Sequence, residues 1–114
     1  MFPMKTPIEV TKTQDPVLTY HFSGELDETN VDGVFWPIYS ELESNWTQSI
    51  VFDFSDLKYL NSKAIGYITD IYSHTDNHGG KLTLAHLTPE VYDILDIVGI
   101  TSIVEVEGAV PEQA

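Results

Sequence analysis

The chain has 114 residues, 42% of them hydrophobic and 20% charged, a globular composition with room for one buried core. Its 18 Asp and Glu stand against five lysines and no arginine, leaving a formal net charge of −13, which excludes a nucleic-acid binder that must displace counterions and disfavours anionic membrane surfaces. With no cysteine the chain has no disulfide, thiolate metal site or cysteine nucleophile, and without arginine it lacks the planar fork that grips phosphate bidentately.

In chain order, Ile8–Lys12 alternates as a strand does, Gln14-Asp15-Pro16 supplies a turn, and Val17–Phe22 reads as a second strand with Leu18, Tyr20 and Phe22 on one face. Ser23-Gly24 is expected to end it. From Glu28 to Trp46 the apolar residues recur at helical spacing, but Gly33 and Pro37 fall inside, so a broken or late-starting helix is expected. Ser49–Phe54 is an apolar run suited to a buried strand. The next helix is expected to begin at Ser62, burying Ala64, Ile65, Ile68, Ile71 and Tyr72 and ending at Gly79-Gly80. Lys81–Ala85 follows as a strand. Thr88-Pro89-Glu90 opens a third helix, with a hydroxyl cap, proline at the first position and an acid at the positive dipole end. Val91, Ile94, Leu95 and Val98 should pack inward and Gly99 should close the helix. Ile103–Val106 reads as a last strand.

The order β-β-α-β-α-β-α-β predicts an α/β fold: a mostly parallel five-stranded sheet, an antiparallel edge strand, and right-handed crossovers that set the helices largely on one face. The other face must be covered or partly polar. A single domain over 1–114 is expected, with its core at about 8–107 and short tails. No stretch has the apolar length of a membrane span, and Met1-Phe2-Pro3-Met4-Lys5 lacks the core of a signal peptide, so a cytoplasmic location is expected.

The strongest chemical candidate is the junction Tyr59-Leu60-Asn61-Ser62-Lys63-Ala64-Ile65-Gly66. A serine hydroxyl at the cap of a helix lies where backbone N–H groups point outward and the dipole is positive, so a phosphate on Ser62 would be favoured there. Lys63 would add a point charge. A plain capping role accounts for the same serine. Asp27 is a second candidate, because the loop after the second strand should lie beside that junction; a turn or cap aspartate is the alternative. Asp70, His74 and His78 share one helix face, but no fourth ligand accompanies them and both histidines lie near a helix C-terminus, so no metal and no cofactor is assigned. His21 and His86 are isolated, and Trp36, Trp46 and Phe35 fit a helix core or rim. Nucleophile elbows, Gly-Lys-Ser loops and Gly-x-Gly-x-x-Gly turns are missing, and no enzymatic activity is expected.

An ordered set of short motifs adds to this reading. Ser23-Gly24-Glu25-Leu26-Asp27, Phe52-Asp53-Phe54-Ser55-Asp56-Leu57, Asn61-Ser62-Lys63-Ala64-Ile65-Gly66, His78-Gly79-Gly80-Lys81-Leu82, Thr88-Pro89-Glu90-Val91 and Val98-Gly99-Ile100 follow one another over about residues 8–107. Together they resemble the STAS domain of bacterial anti-sigma-factor antagonists. Phe52–Leu57 matches that family's central strand and exit loop, and Asn61–Gly66 its phosphoacceptor turn. The resemblance implies a STAS-type fold and a non-enzymatic binding module that sequesters an anti-sigma factor with serine kinase activity and so regulates transcription. It makes Ser62 the phosphoacceptor, sets Asp27, Asn61, Lys63 and Ala64 at the partner interface, and implies a serine phosphatase that restores binding. Three positions depart from the family pattern: Asn61 stands for Asp, Lys63 for a small residue, and Ala64 for Gly. They motivate a second reading, an unswitched scaffold subunit of a stress-signalling complex or a lipid-transport ABC system. Under the first reading the acidic chain calls for a partner with a basic docking surface.

Overall fold

The computed structural model describes residues 8–14, 17–43 and 45–108. The strands are β1 (Glu9–Thr13), β2 (Leu18–Leu26), β3 (Ser49–Leu60), β4 (Lys81–Ala85) and β5 (Glu105–Glu107). The helices are α1 (Val31–Leu42), α2 (Ser62–Asn77) and α3 (Pro89–Ile97), with a 3-10 turn at Ile100–Ser102. The strands lie side by side in sequence order, β1 antiparallel to β2 and the rest parallel, which is the mixed sheet expected from the order of elements.

Alternation along the strands decides which face is buried. Leu18, Tyr20 and Phe22 of β2 stand beside Ile50, Phe52 and Phe54 of β3 and Leu82 and Leu84 of β4. These residues share one buried cluster with Phe35 and Ile38 of α1, Ala64, Ile68 and Ile71 of α2, and Val91 and Leu95 of α3. All three helices therefore cover the same face. The opposite face carries Thr11, His21, Ser23, Asp53 and Glu105 and is partly polar. There His21 Nδ1 lies 2.9 Å from Asp53 Oδ2. Burial pushes the Asp53 carboxyl up, but the Ser55 backbone N–H and hydroxyl and the nearby His21 and His86 hold it below its usual value.

Five local expectations need correction. β2 does not stop at Ser23-Gly24 but runs to Leu26, and β3 continues through the expected exit loop to Leu60. Two register shifts let β3 take up an extra residue each time, which returns Leu57 and Leu60 to the buried face. α1 is not broken at Pro37 but continuous from Val31 to Leu42. Val98 caps α3 and is 54% exposed, because Gly99 at φ +88° turns the chain into the 3-10 segment that buries Ile100 instead. β5 begins at Glu105, leaving Ile103 exposed. Of the expected first turn, Asp15 and Pro16 lie outside the described residues, as do the terminal segments 1–7 and 109–114.

Candidate functional site

The parallel pairing of β2 and β3 builds the site. Leu26 and Leu60, the last residues of the two strands, are register partners, so the chain leaves both strands at one end of the sheet and starts α1 and α2 side by side. Asp27 and Asn61 are the first residues beyond those partners.

At α2 the cap is Asn61, one residue before the serine expected there. Asn61 is extended (φ −98°, ψ 178°), its side-chain oxygen accepts from the Ala64 N–H at 3.0 Å, and its carbonyl accepts from the Ile65 N–H. Ser62 is thereby the first helical residue, exposed, with its hydroxyl unbonded among the described residues. An amide oxygen caps as well as a carboxylate does, so the Asn61 substitution keeps the geometry and removes one negative charge. Ala64 is fully buried. Its methyl belongs to the core, and its N–H is committed to Asn61.

The Asp27 loop is closed by its own hydrogen bonds. Asp27 Oδ1 accepts from the Thr29 N–H (2.9 Å) and hydroxyl (2.6 Å), and its carbonyl accepts from the N–H groups of Asn30 and Val31. Asn30 ties the loop back by donating to the Glu25 carbonyl and accepting from the Asp27 N–H. The carboxylate thus does the work of a turn aspartate while half-buried beside the Ser62 turn.

Lys63 makes the cross-link between the helices. Its Nζ lies 3.0 and 3.1 Å from the two carboxylate oxygens of Asp32, in the first turn of α1, and the Tyr67 hydroxyl donates to the same carboxylate at 2.6 Å. The Tyr67 bond, then Lys63, hold the Asp32 carboxyl below its usual range, while Asp32 raises the Lys63 ammonium. Asp32 and Tyr67 were not among the residues singled out from the sequence. They are 31 and 35 residues from their partners along the chain, and only the β2–β3 pairing brings them there; an acid in the first turn of a helix is too common to signal more.

The other candidates separate. Asp70 and His74 are 3.4 Å apart, but the His78 ring bonds the His74 carbonyl at the end of α2, and among the described residues no group of histidines and acids is arranged to hold a metal. Phe35 is buried, Trp46 is half-buried and stacks on His74, and Trp36 is 63% exposed. No helix of the described residues is long and apolar enough to cross a membrane.

The pattern of known proteins agrees with this architecture. The anti-sigma F factor antagonist of Paenibacillus polymyxa is 27% identical over 90 residues, covering 79% of this chain and 77% of its own. An anti-sigma factor antagonist from Mycobacterium paratuberculosis superposes with a TM-score of 0.77 at 16% identity, over 89% of this chain and 86% of that one. The anti-sigma factor antagonist SpoIIAA in its unphosphorylated form gives 0.73 at 16% identity, over 93% and 90%. At such identities the two structures establish the fold alone. The STAS domain model matches residues 9–112, nearly the whole chain, and the chain therefore belongs to the STAS domain family.

Proposed function

We propose that this single STAS domain is a cytoplasmic anti-sigma-factor antagonist, a non-enzymatic module that binds an anti-sigma factor and is switched by phosphorylation of Ser62. The observation that carries the reading is an exposed serine hydroxyl at the first position of α2, at the sheet end where the Asp27 loop and the starts of two helices meet. In the switching step the Ser62 oxygen would attack the γ-phosphorus of ATP in the partner kinase. The bond to the ADP oxygen breaks, ADP leaves, and the hydroxyl proton passes to the kinase. The added dianion lies at the positive end of a helix, so the fold tolerates it, while a partner surface packed against a neutral hydroxyl has no space for the bulk and hydration of the phosphate and is left with desolvated, unpaired groups. A serine phosphatase would restore the docking state. Asp27 and Lys63 offer charged groups to the partner, Asn61 sets the turn, and the buried Ala64 acts by fixing the backbone beneath it.

Incubation with the cognate kinase and ATP, followed by mass spectrometry, tests this reading. One phosphate on Ser62 is expected, and Ser62→Asp should weaken the complex at least tenfold. Phosphate on another residue overturns the switch. A stable complex with no phosphate transferred favours the unswitched scaffold instead, for which the Lys63–Asp32 pair beside the acceptor is the supporting observation.

A further inference from the structure

Beside the Ser62 turn, α1 and α2 leave a groove of about 350 Å³ between them, lined by Tyr39, Lys63, Gly66, Tyr67 and Asp70. Its aromatic walls are already ordered. Tyr67 stacks on the buried Phe35 with ring centroids 4.9 Å apart and meets Tyr39 edge-on at 5.8 Å. The hydroxyls are fixed as well, Tyr67 to Asp32 and Tyr39 to Asp70, each at 2.6 Å. Trp36 of α1 falls between Asp32 and Tyr39 at helical spacing, at the edge of this wall, and most of its surface is exposed. Gly66 keeps the floor open, since a methyl added there would meet nothing within 4 Å. The groove therefore presents a rigid aromatic surface with one lining carboxylate, Asp70, and its one cation, Lys63, is engaged by Asp32.

We propose that this groove is the second half of the docking surface and receives an arginine- or lysine-bearing segment of the partner, which rests against Trp36 and directs its charge to Asp70. The inference rests on the docking reading above and extends it from the turn to the seam between the helices. Three features fix the chemistry of the occupant. An exposed indole beside ordered tyrosines binds cations through its face, and tryptophan is among the side chains enriched at the energetic centre of protein interfaces. Asp70 in the lining matches a cationic side chain and can accept a charge-assisted hydrogen bond from it, while Asp32, held by Lys63 and Tyr67, balances the one lysine of the groove. A chain of net charge −13 without arginine must obtain such cations from its partner. Lys63 lines the groove and directly follows Ser62, so a partner resting on the serine turn is already at the mouth of the groove.

The test is a titration of the cognate anti-sigma-factor kinase into the 15N-labelled chain, following the two indole N–H signals and the amides of residues 61–63. The Trp36 indole signal should shift and saturate together with those amides. Trp36→Ala should weaken binding at least tenfold, and Asp70→Asn, which keeps an acceptor for Tyr39, roughly threefold or more with a shallower salt dependence. Ile97→Ser, at an exposed site at the far end of α3, should leave the affinity unchanged. If the amides of 61–63 move while Trp36 stays still and Trp36→Ala binds like the parent chain, the groove is overturned and docking at the turn survives. If no signal moves, both readings fall. Shifts at Trp36 that depend on the chain's own concentration, without kinase, would identify a second copy as the occupant and also overturn the proposal.

Discussion

At the scale of single residues, the division of labour between Asn61 and Ser62 governs the site. Capping consumes the side chain of whichever residue performs it, and Asn61 performs it here through the bond to the Ala64 N–H. That leaves the Ser62 hydroxyl available for chemistry. Asn61→Ala should cost about 1 kcal/mol of stability by stranding the Ala64 N–H, whereas Asn61→Asp, an equally good cap, should hold or raise it. Urea unfolding of the two variants measures this, and an alanine variant as stable as the parent would remove the capping role. The place of the serine turn was readable from the sequence because a polar run between an apolar strand and an apolar helical stripe has few alternatives. Its one-residue offset was not, since Asn and Ser cap almost equally well. The Asp32–Lys63–Tyr67 link was unreadable, because no periodicity within a segment reports which helix lies beside it.

At the scale of elements, the strands and helices with strong period were readable, and the misjudged ones are those where tertiary packing outweighs a local signal. Pro37 withholds one N–H from the carbonyl of Gly33, and an interior proline costs about 3 kcal/mol. Against that, α1 buries Val31, Phe35, Ile38 and Leu42, each worth roughly 1.5–3 kcal/mol. The balance favours a continuous helix, and since residues 33 and 37 are both exposed, water can bond the orphaned carbonyl. Likewise β3 extends through Ser55–Leu60 because a bulge admits an extra residue wherever two polar positions interrupt the alternation, a device that period-two reading counts as a loop. The same contrast between open and crowded surroundings separates two glycines. A methyl at Gly33 meets nothing within 4 Å, while one at Gly80 would run into the backbone of Trp46, Thr47 and Gln48 where the chain enters β3. Gly33→Ala should therefore stabilise the protein by about 0.5–1 kcal/mol through helix propensity. Gly80→Ala should destabilise it by roughly 1–3 kcal/mol, the usual penalty for overpacking. Thermal unfolding of both variants checks the pair, and two shifts of the same sign would contradict the account.

At the scale of the whole molecule, the excess of acids is managed by phenols. With five lysines and no arginine available, three carboxylates among the described residues take hydrogen bonds from tyrosines: Glu41 from Tyr20, Asp70 from Tyr39 and Asp32 from Tyr67. Burial, then the bond to Glu41, raises the Tyr20 phenol far above its ordinary value of 10.0, burial and Asp70 do the same to Tyr39, and the bond to Asp32 with burial raises Tyr67. A phenol raised in the folded state adds stability that is complete below its unfolded pKa and lost as pH climbs through the interval between the two values. The alkaline limb should therefore begin near pH 10, with each such tyrosine contributing up to about 1.4 kcal/mol per pH unit. The acid limb has the opposite sign: Asp32, Glu41 and Asp53 are lowered in the folded state, so their contribution is present above the ordinary carboxylate pKa and vanishes as pH falls through their folded values. Net repulsion alone would also weaken the fold at high pH, because ionised phenols add to a charge of −13, but that effect is screened by salt and is indifferent to which tyrosine is present. Tyr20 separates the two causes. It is 3% exposed, so salt reaches it poorly, and Tyr20→Phe leaves Glu41 its ion pair with Lys12. Urea midpoints between pH 8 and pH 11 in high salt should show a shallower alkaline decline for Tyr20→Phe than for the parent chain. Parallel declines would assign the limb to overall charge and strip the tyrosine–carboxylate bonds of that role.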